Sequence, residues 1–183
     1  MFKHLTAAVL ALLVVATPAR ADWLLTPFAG VTFGGNAPEE KFNYGLSFAF
    51  LGGGIFGLEF DASITPNFFD ADDGVAIDDS NVSTVMGNLM LAVPGAVRPY
   101  VSGGVGLIRA RATSVGNVFD VDDNSFGINV GGGLMGMFSD HVGLRGDLRY
   151  FRGFQDLEIV DDFNLDLSDF DFWRGSLGMT FRF

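Results

Sequence analysis

The last stretch of the chain, from Asp171 to Phe183, reads DFWRGSLGMTFRF and alternates between apolar residues and polar or small ones. Successive side chains of an extended strand point to opposite sides, so a period of two separates two faces. One face would carry Trp173, Leu177, Met179, Phe181 and Phe183, and the other Arg174, Ser176, Gly178, Thr180 and Arg182. The pattern predicts a β-strand with one apolar face.

Similar segments recur upstream. We predict about eight strands, each near the ~10 residues that a tilted strand needs to cross a bilayer. They lie at 24–33, 42–51, 55–65, 82–93, 100–112, 126–138, 142–154 and 171–183. The predicted fold class is therefore all-β, an antiparallel up-and-down transmembrane β-barrel.

The connections alternate in length. Short ones lie at 52–54, 94–99 and 139–141, and longer polar ones at 34–41, 66–81, 113–125 and 155–170. Acidic residues concentrate in the long connections, and Asp140 is the one acid of the short ones. This arrangement is typical of a barrel with both termini and the short turns in the periplasm and the long loops outside.

The N-terminal segment has the features of a secretory signal peptide. Lys3 and His4 precede the apolar run LTAAVLALLVV (5–15), and Ala19-Arg20-Ala21 supplies a cleavage pattern of small residues. The run is shorter than the ~18 residues of a membrane-spanning helix. We expect cleavage after Ala21, which divides the chain into a signal peptide (1–21) and one barrel domain (22–183). A retained N-terminal anchor is the alternative.

Composition agrees with an exported barrel. The chain has no Cys, 20 Phe, 25 Gly and 49% hydrophobic residues, so no disulfide framework stabilises it. Its formal net charge of −11 argues against nucleic-acid binding, which needs basic patches.

Alternation alone leaves open which face of each strand points into the barrel. A soluble lipocalin-type barrel also has about eight strands, but it buries the apolar face. Here the polar face is rich in Gly and poor in Lys and Glu, which favours a narrow lumen over a solvated exterior. Aromatic residues also cluster at strand ends, as in the interfacial girdles of membrane barrels. These are Trp23, Tyr100, Phe138 and Phe183 at the short-turn end, and Phe33, Phe42, Tyr150 and Trp173 at the long-loop end.

The chain resembles the small outer-membrane β-barrel family that includes the OmpA transmembrane domain and OmpX. The resemblance lies in the export signal, the strand rhythm, glycine-rich strands such as VSGGVGLIRAR (101–111) and INVGGGLMG (128–136), and the final FRF. It implies localisation in the cell outer membrane. It also implies that Phe181 and Phe183 belong to the signal that the barrel-assembly machinery reads.

Charged residues within the strands share the glycine-rich face. An unpaired charge away from water costs several kcal/mol, so these groups must pair or be solvated. We predict a structural charge network that fills the lumen, formed by Glu59, Asp61, Arg145, Asp147, Arg149, Arg174 and Arg182. The alternative is that some of them lie near the barrel ends and are solvated.

Three arginines fall on the apolar face instead. Arg109 and Arg111 continue the face of Val105, and Arg152 continues that of Leu148. Near the membrane interface an outward Arg costs only about 0–1 kcal/mol, and there it could meet lipid and lipopolysaccharide phosphates. A β-bulge that turns these side chains inward is the alternative.

The long loops are acidic. DADDG (70–74) and DVDDN (120–124) resemble the start of a calcium-binding loop, but neither has the Gly at position six or the Glu at position twelve. We expect solvated loops that present carboxylates to an extracellular partner, with divalent ions bridged at the lipopolysaccharide surface as the alternative. Phe68, Phe69, Phe119 and Phe163 would pack on the barrel rim or touch such a partner.

No residue pattern indicates catalysis, a cofactor or a metal site. His141 is the only His after signal cleavage, and it follows Ser139 and Asp140 in a turn predicted to be periplasmic. Small outer-membrane hydrolases, by contrast, use a Ser–His pair near the outer leaflet, and sequence adjacency alone does not make a relay. Two functions remain, a non-enzymatic structural or surface-interaction element and a small passive channel. A lipocalin-like periplasmic carrier is the distant third.

Overall fold

The computed structural model describes residues 22–37, 39–68, 77–114, 120–154 and 170–183. Eight antiparallel strands form a closed barrel in which each strand pairs with the next and β1 pairs with β8. The strands are β1 (Asp22–Phe33), β2 (Lys41–Gly52), β3 (Phe56–Pro66), β4 (Ile77–Ala92), β5 (Val97–Ser114), β6 (Asp120–Met137), β7 (Val142–Phe154) and β8 (Asp171–Arg182). This architecture confirms the predicted fold class. The segment predicted as signal peptide lies outside the described residues.

The C-terminal strand closes the barrel against the N-terminal one. Phe28 of β1 lies opposite Gly178 of β8, and Leu24 lies opposite Arg182. Past the end of β8, the backbone N–H of Phe183 donates to the carbonyl oxygen of Trp23 at 3.0 Å. The alternating stretch 171–183 therefore forms one side of the seam, the β1–β8 pairing that closes the barrel. The described residues contain no helix that is long and apolar enough to cross a membrane.

Each strand turns its apolar face outward. Leu89, Met179 and Phe56 keep 68%, 46% and 64% of their surface exposed, whereas Asn88 and Thr180, adjacent in sequence to Leu89 and Met179, are buried. Exposed apolar surface on this scale is unfavourable in water and suits a hydrocarbon surrounding. The strands therefore have the orientation predicted for a membrane barrel, which is the reverse of a lipocalin-type barrel.

Outward aromatic residues lie near both ends of the strands. At the short-turn end, the ring of Trp23 lies 5.4 Å from that of Phe48 and 4.8 Å from that of Phe50, measured between centroids. At the long-loop end, the rings of Tyr150 and Trp173 are 5.2 Å apart. Such bands are expected where hydrocarbon meets the polar interface.

The prediction that Tyr100 belongs to the outward aromatic set is wrong. β5 turns its odd-numbered residues Val101 and Val105 outward, and Tyr100 points into the lumen with 4% of its surface exposed. The physical reason is the period of two, which places residues 100 and 101 on opposite faces. Tyr100 was predicted to face outward because it lies near the end of a strand. Whether a residue of β5 faces outward or inward depends only on whether its number is odd or even.

Three neighbouring strands are longer than predicted. β4, β5 and β6 have 16, 18 and 18 residues, whereas β3 has 11 and β7 has 13. The predicted loop at 113–125 is mostly strand, with Thr113 opposite Asp120 and Arg111 opposite Asp122. These residues extend the barrel wall at the long-loop end. They were predicted as loop because their sequence does not alternate between apolar and polar residues as the membrane-crossing strands do.

Inward glycines allow close approach of the strands. A Cβ atom at position 133 of β6 would overlap the carbonyl oxygen of Gly146 and lie 2.6 Å from the Tyr100 hydroxyl oxygen. Gly146 of β7 faces outward, and a Cβ added there would have no atom within 4 Å. The glycine at position 133 is therefore required by packing, and Gly146 is not.

We expect Gly133→Ala to destabilise the barrel by about 1–3 kcal/mol, because the added methyl group overpacks the lumen wall. The matched control Gly146→Ala should leave stability unchanged within ~0.5 kcal/mol. Urea unfolding in detergent micelles, followed by the heat-dependent gel shift of folded barrels, measures both. Equal stability of the two variants would contradict the packing argument.

Candidate functional site in the barrel lumen

Glu59 lies at the centre of a buried ion cluster. One carboxylate oxygen of Glu59 lies 2.6 Å from Arg145 Nη2, and the other lies 2.7 Å from Arg149 Nη2. Ser47 Oγ and Asn88 Nδ2 also donate hydrogen bonds to this carboxylate, at 2.6 Å and 3.1 Å. The Glu59 carboxylate therefore has partners on both oxygens although water is excluded.

Asp61 and Asp147 extend the cluster in two directions. Arg174 Nη2 donates to Asp61 Oδ2 at 3.0 Å, and its Nη1 lies 2.9 Å from Asp61 Oδ1. Asp147 accepts from Arg149 Nε at 2.7 Å and from Arg145 Nη2 at 3.3 Å. The structure thus brings together six of the seven residues predicted for the network, three acids and three arginines whose formal charges cancel.

The strand order explains why these residues meet. β3 supplies Glu59 and Asp61, while β7 supplies Arg145, Asp147 and Arg149, all on inward faces by the period of two. In a closed barrel of eight strands, β3 and β7 stand on opposite walls. An interior of this size is just wide enough for side chains to fill, so long arginines reach across it.

Tyr100 completes the cluster and was missed from the sequence. Its hydroxyl donates to Asp147 Oδ2 and accepts from Arg145 Nε at 2.7 Å. The Arg145 guanidinium also lies over the Tyr100 ring, 4.6 Å from the centroid. Its position on the inward face of β5 was the signal that could have identified it.

Apolar side chains close the lumen on both sides of the ion cluster. We call the short-turn group the lower apolar layer, formed by Leu24, Ala49, Leu51, Met90, Ala92, Tyr100 and Met135. We call the long-loop group the upper apolar layer, formed by Ala37, Phe68, Val82, Met86, Ile108, Phe151 and Phe172. Among the residues of the two layers, Phe68 was predicted to pack on the barrel rim, and none, Tyr100 included, was predicted to fill the lumen.

Aromatic contacts bind the upper apolar layer together. The rings of Phe151 and Phe172 stack at 5.0 Å between centroids, with an interplanar angle of 10°. Phe68, which follows β3, is fully buried and meets Phe172 edge-on at 5.8 Å. Arg174 Cζ lies 4.9 Å from the centroid of the Phe151 ring, so the layer rests directly on the ion cluster.

The space left inside the lumen is small. A cavity of about 10 Å³ is lined by Asp61, Arg145, Arg149, Arg174 and Ser176, among others. A water molecule needs roughly 10–15 Å³ of such volume. This cavity within the ion cluster therefore has room for about one water molecule.

Arg182 does not join the ion cluster. It lies at the short-turn mouth, where its Nε donates to the carbonyl oxygen of Asp140 at 2.7 Å and its Nη1 lies 3.9 Å from Asp22. Arg98 Nη1 forms a closer ion pair with Asp22, at 2.9 Å. The prediction for Arg182 is thus wrong, because the residue lies close to the end of β8, in the partly solvated position that the alternative described.

The three arginines predicted to face outward keep that orientation. Arg109 and Arg111 are exposed on the outer face of β5, and Arg152 is half-buried on the outer face of β7. The register of β5 with β6 is continuous through Arg109 and Arg111. The bulge that would turn them inward is therefore not present.

Neither acidic motif forms a metal loop in the described residues. DADDG (70–74) lies outside them, and the backbone of DVDDN (120–124) belongs to β6, where Asp120 lies opposite Thr113 and Asp122 opposite Arg111. Within the described ranges, no group of three or more His, Cys, Asp or Glu could hold a metal ion. Three of the four loop phenylalanines, Phe69, Phe119 and Phe163, also lie outside the described part.

The Ser139-Asp140-His141 turn is held by hydrogen bonds between a side chain and the backbone. Ser139 Oγ accepts hydrogen bonds from the backbone N–H groups of His141 at 3.3 Å and Val142 at 3.0 Å. The hydroxyl oxygen thus stabilises the turn between β6 and β7. These contacts use backbone groups and do not form a nucleophile–base relay.

Comparison with known proteins gives the same architecture. A family model described as the outer membrane protein beta-barrel domain matches residues 6–181. Neisserial surface protein A (NspA) superposes with a TM-score of 0.67 at 15% identity, covering 89% of this chain and 99% of that one. No curated protein sequence matches the chain.

Two further solved structures are similar. Ail of Yersinia pestis has a TM-score of 0.59 at 16% identity, covering 89% of this chain and 98% of its own. The N-terminal β-barrel domain of Pseudomonas aeruginosa OprF has a TM-score of 0.58 at 18% identity, covering 88% and 97%. At these identities the likeness shows the fold alone.

The ion cluster generates a stability prediction. Glu59→Gln removes the carboxylate shared by Arg145 and Arg149 and leaves three buried arginines facing only Asp61 and Asp147. The resulting excess positive charge should cost about 3–5 kcal/mol of unfolding free energy. The matched control Asp22→Asn breaks a partly exposed pair with Arg98 and should cost about 0–1 kcal/mol.

A double-mutant cycle between Glu59→Gln and Arg145→Met, read by urea unfolding, tests the direct pair. We expect a coupling free energy of about 0.5–3 kcal/mol. Additive effects of the two substitutions would show that these residues do not stabilise each other.

Proposed function

Because the chain belongs to the outer membrane protein β-barrel domain family, we propose that it is an integral protein of the cell outer membrane with a closed, side-chain-filled lumen. Its role in this proposal is structural or in surface interactions, and non-enzymatic. The observation that carries the proposal is the layered lumen, an ion cluster enclosed between two apolar layers. Such a filling opposes the passage of solutes.

The proposed topology places the termini and the short turns in the periplasm. The export signal would direct the chain there, and the barrel-assembly machinery would read its last strand. Phe183 supports this role, since its side chain is 74% exposed at the end of the seam strand. The long connections, with their acidic residues, would then face the outside and meet an extracellular partner.

The outward arginines support contact with lipopolysaccharide. Arg109 and Arg111 lie at the long-loop end of β5, and Arg152 lies at the same end of β7. In the proposed topology that end is the outer leaflet. A guanidinium can bind a phosphate through two parallel hydrogen bonds, which makes Arg well suited to this lipid.

A small passive channel is the second candidate. It requires a continuous polar path, whereas Met90 and Met135 of the lower layer and Phe151 and Phe172 of the upper layer are all 1% exposed or less. The filled lumen therefore favours the non-conducting role. A lipocalin-like carrier is not supported, because the barrel turns its apolar face outward.

Conductance separates the first two roles. We expect the purified barrel, inserted into planar lipid bilayers, to show no steady single-channel steps, because both apolar layers exclude hydrated ions. Insertion is verified in parallel by the heat-dependent gel shift. Reproducible unitary steps from the inserted protein would establish the channel instead.

Lipopolysaccharide binding tests the arginines. The triple variant Arg109→Ala, Arg111→Ala, Arg152→Ala should bind lipopolysaccharide at least tenfold more weakly. The loss of one charge-assisted hydrogen bond, worth about 1.5–3 kcal/mol, already exceeds the ~1.4 kcal/mol of a tenfold change. The control Arg98→Ala, Arg182→Ala removes arginines from the other end and should bind as the wild type does. Surface plasmon resonance on immobilised lipopolysaccharide measures all three proteins, and unchanged binding by the triple variant would reject the lipid role.

A further inference from the structure

A groove interrupts the apolar outer wall on the short-turn half of the barrel. Its walls are the outward side chains of Trp23, Phe48, Phe50, Leu58, Phe60 and Leu89, and its volume is about 650 Å³. We call it the outer-wall groove. Glu59 and Asn88 also line the groove, although both residues are buried and their side chains make their contacts in the lumen.

Two outward glycines form the floor of the groove. Gly87 of β4 lies opposite Phe60 and Val105, and Gly103 of β5 lies opposite Leu89. An added Cβ at position 87 would meet its nearest atom, the Val105 carbonyl oxygen, at 3.9 Å. A side chain would therefore fit at position 87. The groove is deep here because glycine carries no side chain, and strand packing does not require glycine at this position.

The lining determines what can occupy the groove. Its outward side chains are aromatic or aliphatic, and none carries a charge that could pair with a phosphate headgroup. From Trp23 on β1 to Gly103 on β5 the groove crosses four strand spacings, or roughly 19 Å at ~4.8 Å each. A flexible, unbranched apolar chain fits such a track, whereas a polar ligand would lose hydrogen bonds there.

We propose that the outer-wall groove binds one acyl chain of an outer-membrane phospholipid. The groove is continuous with the apolar outer face that meets hydrocarbon, and it lies on the half of the barrel that the proposed topology assigns to the inner leaflet. The proposal rests on that topology. It adds a specific lipid site at the opposite end from the outward arginines.

A second copy of the chain is the competing occupant. In a twofold dimer the same patch of both copies meets itself. Two concave grooves facing each other leave a void, and an unfilled void loses the contacts that hold an interface together. A lipid chain adapts its shape to the groove and does not have this difficulty.

Lipid retention tests the proposal. The full-length chain is expressed with export, and the purified protein is inserted into vesicles of palmitoyl-oleoyl phosphatidylethanolamine. It is then re-extracted in mild detergent, and native mass spectrometry measures the mass of the protein with any bound phospholipid. We expect the wild type to retain one phospholipid. Gly87→Leu, which fills the groove, should lower the retained fraction at least tenfold, equivalent to about 1.4 kcal/mol of binding free energy.

Gly146→Leu is the matched control, because Gly146 also faces outward with open space around it and lies on β7, outside the groove. It should retain lipid as the wild type does. Equal retention by Gly87→Leu, or an equal loss in both variants, would overturn the lipid site. So would a wild-type dimer that Gly87→Leu dissociates, because the occupant would then be a second copy.

The heat-dependent gel shift, which reports whether the barrel has folded and inserted, distinguishes failure of this proposal from failure of the proposed function. Insertion of the wild type into vesicles without any retained lipid rejects the groove site and leaves the membrane barrel intact. Failure of the wild type to insert at all would reject both.

Discussion

The opposite walls of an eight-stranded barrel are close enough for side chains to meet across the lumen, and the rest of the structure depends on this constraint. β3 and β7 stand half a turn apart in the closed sheet, yet Arg149 donates a hydrogen bond to Glu59 at 2.7 Å. The same constraint requires inward glycine at positions such as 133, where a side chain would overlap the neighbouring strand. The glycine-rich face and the ion cluster are thus two results of one narrow interior.

The ion cluster is enclosed by apolar side chains on both sides, which distinguishes it from a solvated channel lining. A buried ion pair often contributes no more stability than apolar residues of the same volume. What it does impose is a definite set of partners, because Asp61 satisfies Arg174 only when β3 and β8 adopt one relative position. We infer that the cluster selects the closed arrangement, while the apolar layers and the strand ladder supply most of the stability.

Strand number, order and the outward apolar face could be read from the sequence, because the period of two is a strong signal wherever one face meets hydrocarbon. The same signal places Glu59 and Arg145 inward. The signal is absent from the sequence around Thr113 and Asp120, and for that reason these paired segments were predicted as a loop. Arg182 was misplaced for a different reason, since its depth in the lumen depends on where β8 ends. Tyr100 was assigned to the wrong face, because its position near a strand end was given more weight than the period of two. Of the upper apolar layer only Phe68 was foreseen, as a residue packed on the barrel rim. Its depth in the lumen was not, because Phe68 lies past the end of β3, where no period of two indicates direction.

The residues that form the ion cluster are distant along the chain. Glu59 and Arg149 are separated by 90 positions, and Asp61 and Arg174 by 113. Bringing such residues together requires closure of large loops, which is a slow and late step in folding. Before the β1–β8 seam forms, the polar face belongs to an open, curved sheet, where each guanidinium and carboxylate stays hydrated. Their dehydration therefore coincides with closure of the seam, so the cluster acts mainly by retarding the opening of the finished barrel and contributes little to the rate at which it assembles.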